Sequence, residues 1–133
     1  MKPVIFGLAG EQLSGDERAF FRESDPAGYI LFQRNCRDRD QLRALTDDLR
    51  ALHGRDDLLI MIDQEGGRVA RMKPPVWPEF PPMQRFDALY EVAPSTAIEA
   101  ARANAQAIAA TLRECGITVD ALQFFVAVQD GKP

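Results

Sequence analysis

The chain has 133 residues, 46% of them hydrophobic and 27% charged, enough for one domain with a real core. Its formal net charge of −4, with no basic stripe, argues against nucleic acid as a partner. No apolar run approaches the ~20 residues of a membrane span, and the N-terminus MKPVIFGLAG lacks the apolar centre of a signal peptide, so no membrane partner and a cytoplasmic location are expected.

In chain order, Pro3–Leu8 is expected to be a first strand. Ser14 caps a helix in which Glu17 holds the capping-box position, and Ala19, Phe20 and Phe21 should turn inward before Pro26 stops it. Asp25–Gly28 reads as a turn and Tyr29–Phe32 as a second strand, leading into the polar loop Gln33-Arg34-Asn35. Asp38 or Asp40 opens a second helix. Leu42, Leu45, Leu49 and Leu52 lie at helical spacing along it, and Gly54 closes it. The only histidine, His53, is expected to be a solvated residue near that helix end. Leu58–Ile62 is a short continuous apolar run, the pattern of a strand buried on both faces of a parallel sheet. Strands alternate with helices at βαβ spacing, which makes the chain α/β.

After Arg71 the rhythm breaks. Met72–Met83 carries Pro74, Pro75, Pro78, Pro81 and Pro82, and reads as a long stiff loop in which Trp77 and Phe80 either line a cleft or pack the loop onto its scaffold. Ala93–Cys115 is the longest helical pattern, with Pro94 in its first turn, and Ile117–Asp120 starts a fourth strand. Cys36 and Cys115 have no metal-ligand spacing and are expected to be reduced thiols.

The functional signal is Leu58–Arg71, LLIMIDQEGGRVAR. It places a charge cluster at the C-terminal end of a buried strand, where α/β proteins bind ligands. Asp63 can accept hydrogen bonds from vicinal hydroxyls, and Arg71 can donate a fork of them; the same two groups can instead close an internal salt bridge that shapes the loop. Glu65 is the weaker candidate and is expected to brace the loop. Asp63 and Glu65 are too close in sequence to flank a glycosidic bond as a catalytic pair. Gly66-Gly67 is no phosphate loop, since it lacks the Walker pattern and follows two acids.

IDQEGGRVAR (Ile62–Arg71), with GYILFQRN (Gly28–Asn35) before it and FPPMQRF (Phe80–Phe86) after it, resembles glycoside hydrolase family 3, in particular the β-N-acetylhexosaminidases of bacterial peptidoglycan recycling. The resemblance runs from about Pro3 to Asp120. It implies the first three to four βα units of a TIM (β/α)8 barrel, with 1–133 forming the N-terminal part of an incomplete barrel domain. It implies retaining hydrolysis of terminal N-acetylglucosamine, no cofactor and no metal, and an N-acetylglucosamine-containing muropeptide or saccharide as partner. Asp63 and Arg71 match the family's substrate-binding acid and arginine. The family's Lys-His pair, its Pro-Gly-His-Gly loop with the acid/base histidine, and its aspartate nucleophile have no counterpart, so no catalytic residue is expected in this chain. After Asp120 the chain reads ALQFFVAVQDGKP where a segment like APVLDV is expected, which suggests a shifted frame or a truncated gene. Part of a barrel would leave open sheet edges, and self-association through them is expected. The alternative to an enzyme is a non-catalytic remnant or sugar-binding fragment.

Overall fold

The computed structural model describes residues 1–121. Four parallel strands, β1 (Lys2–Gly7), β2 (Pro26–Leu31), β3 (Leu59–Ile62) and β4 (Val119–Asp120), form one sheet in the order β1-β2-β3-β4. Sequential parallel neighbours joined by helical crossovers are the repeating unit of a (β/α) barrel. The crossovers are α1 (Gly15–Ser24), α2 (Arg39–His53), and, between β3 and β4, α3 (Gln84–Tyr90) followed by α4 (Pro94–Glu114).

The capping signals operate as the chain is written. The Ser14 hydroxyl accepts from the Glu17 amide and the Glu17 carboxylate accepts from the Ser14 amide. Asp38 caps α2 through Gln41 N, and Gly54 ends it in the left-handed region at φ 62°. The turn expected at Asp25–Gly28 is confined to Asp25, itself left-handed at φ 43°, and β2 already begins at Pro26. Proline is tolerated there because it is a strand's first residue. The short helix α3 follows the proline-rich loop, in a stretch to which the sequence assigns no element; it buries none of its side chains, so no apolar stripe announces it.

Register explains the burial. Tyr29 and Ile60 pair, as do Leu31 and Ile62, and all four side chains are fully buried in a single core with Leu42, Leu45 and Leu49 of α2 and Ile108 and Leu112 of α4. Each such leucine or isoleucine contributes about 2 kcal/mol by leaving water. The opposite face carries the rows Ile5–Gly28–Leu59 and Gly7–Ile30–Met61–Val119. There Ile5 is 39% and Leu59 42% exposed. Burial of β3 on both faces, expected from its unbroken apolar run, is therefore not what the described residues show: the helices cover one face, and the other is left partly open. Leu31, Ile60 and Ile62 are covered by helices, whereas Ile5 and Leu59 are left open.

Phe20 also departs from expectation. It is 52% exposed, touching Phe6 and Phe21 with ring centroids 5.2 and 5.7 Å away, while Phe21 alone enters the core. Ala19 is exposed as well, because Phe21 and Ser24 take α1's buried side. Trp77 and Phe80 are buried in the main core, so both pack the proline-rich loop onto its scaffold, and Phe80 also lines a cavity beside it.

Candidate functional site at the strand ends

Asp63 follows directly on β3. Continuing the strand's alternation one residue puts it on the open face with Leu59 and Met61. Its Oδ2 accepts from Arg71 Nη2 at 2.9 Å, and the two side chains are 24% and 30% exposed. The salt bridge and the ligand-facing reading are thus compatible: the pair is formed, yet both groups still meet solvent. The Arg71 Nε is buried without a partner among the described residues.

What positions the pair is Gln64, a residue to which the sequence reading gave no role. Its side chain is 1% exposed. Its Oε1 accepts from the amides of Arg71 at 2.9 Å and Met72 at 3.1 Å, and its Nε2 donates to the Met72 carbonyl at 2.9 Å. One buried amide therefore staples the return of the loop to its start, so that Arg71 arrives opposite Asp63. A buried glutamine between an acidic strand end and a diglycine was the only available signal. The turn between them is closed by the amides of Glu65 and Gly66, both donating to Val69 O, at 2.9 and 3.1 Å. Gly66 and Gly67 have φ 98° and 58°, where a side chain is strained. A Cβ on Gly67 would stand 2.7 Å from that of Pro82, and the Gly67 amide donates to Phe80 O at 2.8 Å. The glycines thus serve a close approach of the proline-rich segment. Arg68, at the exposed tip, lines a cavity of about 390 Å³ with Lys73, Glu79 and Phe80, and does not join the Asp63–Arg71 pair.

A second overlooked residue is Asp120, which ends β4 beside Ile62. Its Oδ1 accepts from Gln64 N at 2.9 Å, while Oδ2 is buried with no partner among the described residues. Burial, with the charges of Asp63 and Glu65 nearby, pushes its carboxyl up to about 6 against the lowering effect of the Gln64 hydrogen bond.

His53 is not solvated as expected. Its side chain is 4% exposed, Nε2 lies 2.6 Å from the Tyr29 hydroxyl, and Nδ1 is 3.7 Å from Asp25. Burial and Arg55 hold it below the ordinary histidine range, with Asp25 opposing. It sits at the C-terminus of α2 beside Asp25, where β2 begins, and so belongs to the N-terminal ends of the strands, away from Asp63. Cys36 and Cys115 are free thiols, and burial pushes Cys36 up to about 12, which removes it as a nucleophile. Among the described residues no group of His, Cys, Asp and Glu is arranged to hold a metal.

No family model matches the chain. A β-hexosaminidase of Xanthomonas oryzae pv. oryzae is 40% identical over 114 residues, covering 86% of this chain and 34% of that protein. A β-hexosaminidase of Bordetella pertussis is 41% identical over 117 residues, with 86% and 32% covered. The chain thus spans about a third of the length of the curated relatives it matches. Among solved structures, NagZ from Neisseria gonorrhoeae in complex with N-trifluoroacetyl-D-glucosamine superposes with a TM-score of 0.85 at 30% identity, covering 91% of this chain and 35% of that one. A glycoside hydrolase family 3 β-N-acetylglucosaminidase from a Paenibacillus species follows at TM-score 0.75 and 30% identity, with 87% and 21% covered.

Proposed function

We propose, from the premise that this chain belongs with the β-N-acetylhexosaminidases of glycoside hydrolase family 3, that it supplies part of a pocket for a terminal N-acetylglucosamine residue, in a protein that hydrolyses the β-glycosidic bond beyond it. The observation that carries this is the Asp63–Arg71 pair: an acceptor and a donor, held 2.9 Å apart at a strand's C-terminal end and both partly open to solvent. A carboxylate beside a guanidinium suits a sugar, because vicinal hydroxyls donate to the first and accept from the second. The complex of the Neisseria NagZ with N-trifluoroacetyl-D-glucosamine supports an N-acylated glucosamine as the ligand. Cell-wall recycling in the cytoplasm is the corresponding setting.

Retaining hydrolysis needs a nucleophile and an acid/base flanking the bond. The only histidine is tied to Tyr29 at the opposite end of the strands, and Asp63 is engaged by Arg71. The described residues therefore bind and orient the sugar, and the groups that cut it lie outside them. This favours, as a second reading, a sugar-binding fragment without turnover. Titration of the purified chain with N-acetylglucosamine, followed by NMR, tests the proposal. Binding weakened at least about tenfold by Asp63→Ala, with the circular dichroism spectrum unchanged, is expected. Equal binding by the variant would overturn it. Release of phenol from an aryl N-acetylglucosaminide would show that catalysis resides in this chain after all.

A further inference from the structure

The N-terminal ends of the strands, remote from Asp63, carry a polar network that the sugar-binding reading does not use. Asp25, at the junction of α1 and β2, is its centre. Its backbone carbonyl accepts from Lys2 N at 2.7 Å, which fixes the start of β1 against β2. Its carboxylate meets the Met1 amine at 2.8 Å through Oδ2, and Arg55 Nη2 at 3.3 Å and His53 Nδ1 at 3.7 Å through Oδ1. Arg55 Nη2 also donates to Pro26 O at 2.7 Å. The other ring nitrogen of His53, Nε2, lies 2.6 Å from the hydroxyl of Tyr29, which is fully buried with its ring edge-on to Phe21.

A neutral imidazole carries hydrogen on one nitrogen only. On Nδ1 it faces the Asp25 carboxylate and leaves Nε2 to accept from the Tyr29 hydroxyl, so both ring nitrogens are used. A second proton turns Nε2 into a donor, and the buried Tyr29 hydroxyl hydrogen then has no acceptor among the described residues, a costly state. The new charge also stands near Arg55, and Asp25 is already shared with Arg55 and the Met1 amine. The groups facing the ring are thus Tyr29 from β2, Asp25 from the α1–β2 junction and Arg55 after α2, with the Met1 amine beyond Asp25. Burial and Arg55 favour the neutral ring, and Asp25 opposes them. To be relieved, the charged ring must leave Tyr29 for solvent, and the junction that holds Lys2 and Arg55 loosens with it. We propose that Tyr29, His53 and Asp25 form a proton-operated latch, which fastens the start of β1 to β2 while His53 is neutral and releases it when His53 takes up a proton. Because the fold holds His53 below its ordinary range, the latch is fully closed above the unfolded histidine value and is lost as pH falls.

His53 is the only histidine of the chain, so a single imidazole resonance in an NMR titration reports the latch directly. In the unaltered chain it should titrate below about 6.5, the midpoint of an unperturbed histidine. Arg55→Gln should move that midpoint up and Asp25→Asn should move it down, opposite shifts that loss of packing alone would not produce. Amide exchange reads the opening itself. From pH 7.5 to the acid side of the titration, protection of the β1 amides relative to those of β3 should fall at least about threefold. His53→Gln, whose side-chain oxygen can still accept from Tyr29, should abolish that fall. A midpoint at or above about 6.5, or one that neither variant moves, would overturn the latch. So would β1 protection that stays level through the titration, or an equal loss of it in His53→Gln. The titration and the Arg55 and Asp25 variants keep the test decisive if His53→Gln does not fold.

Discussion

Truncating Gln64 to alanine should cost far more than its modest place in the sequence suggests. The change removes the acceptor of the Arg71 and Met72 amides and the donor to the Met72 carbonyl. Met72 is fully buried, so water cannot replace those partners at its own two groups. Each buried polar group left unsatisfied costs ~1–3 kcal/mol, and two of them give about 3 kcal/mol for the variant. With a urea dependence of about 1.5–2 kcal/mol per molar for a chain of this size, the unfolding midpoint should fall by about 1.5–2 M. Gln64→Glu sharpens the test. It keeps acceptors for both amides but turns an oxygen toward the Met72 carbonyl, so it should be as damaging at neutral pH. Relative to the unaltered chain it should recover as acid protonates the new carboxyl and restores a donor. The readout is equilibrium urea unfolding of each variant across pH. A midpoint shift below about 0.5 M for Gln64→Ala, or no recovery of Gln64→Glu in acid, would refute the claim that this amide organises the loop.

Asp120 has a folded-state pKa raised to about 6, so the fold favours its protonated form. The sign then runs opposite to a salt-bridged acid: the folded chain holds the extra proton, and stability falls as pH rises from the unfolded value of the carboxyl toward 6. Asp120→Asn retains the acceptor for Gln64 N and should stabilise the fold at pH 7.5 by about 1 kcal/mol, seen as a higher thermal midpoint, once solvent screening of a partly buried group is allowed for, with the gain vanishing near pH 4. Gly28→Ala would bring a Cβ to 2.6 Å from Leu59 Cβ and into the Leu59 carbonyl, inside a paired strand that cannot yield, and a loss of about 2 kcal/mol in thermal unfolding is expected. Gly15→Ala, with nothing near its Cβ, is the control and should leave the midpoint within about 0.5 kcal/mol of the unaltered chain.

The alternation of strands and helices, the C-terminus of α2 and the capping box of α1 were legible because each rests on local chemistry, and the start of α2 was narrowed to Asp38 or Asp40, of which Asp38 is the cap. Asp63 and Arg71 were legible as a pair for the same reason, since a charge cluster ends an apolar strand. The misreadings share a cause. Leu59 and Phe20 look like their buried neighbours, and only the tertiary placement of the helices decides which apolar side chain is covered. Gln64 and His53 are polar residues whose partners lie in the Met72 and Tyr29 segments, contacts with no periodicity to betray them. Arg34 falls in a strand-end loop that reads only as polar; its stacking on Phe32 and its closeness to Gly7 appear only once the fold brings them beneath it. The expectations for 122–133 lie outside the described residues.

The clasp between Gly66-Gly67 and Phe80–Pro82 has a thermodynamic consequence for any ligand. Two loops interlock through the Gly67 amide and the prolines packed against both glycines, and five prolines between Pro74 and Pro82 restrict the chain before it folds. Asp63 and Arg71 would therefore meet the sugar proposed above with their backbone entropy already surrendered during folding. Little ordering is left to oppose the few polar contacts a small, well-hydrated ligand can offer, and for so weakly apolar a guest that saving decides whether it is retained.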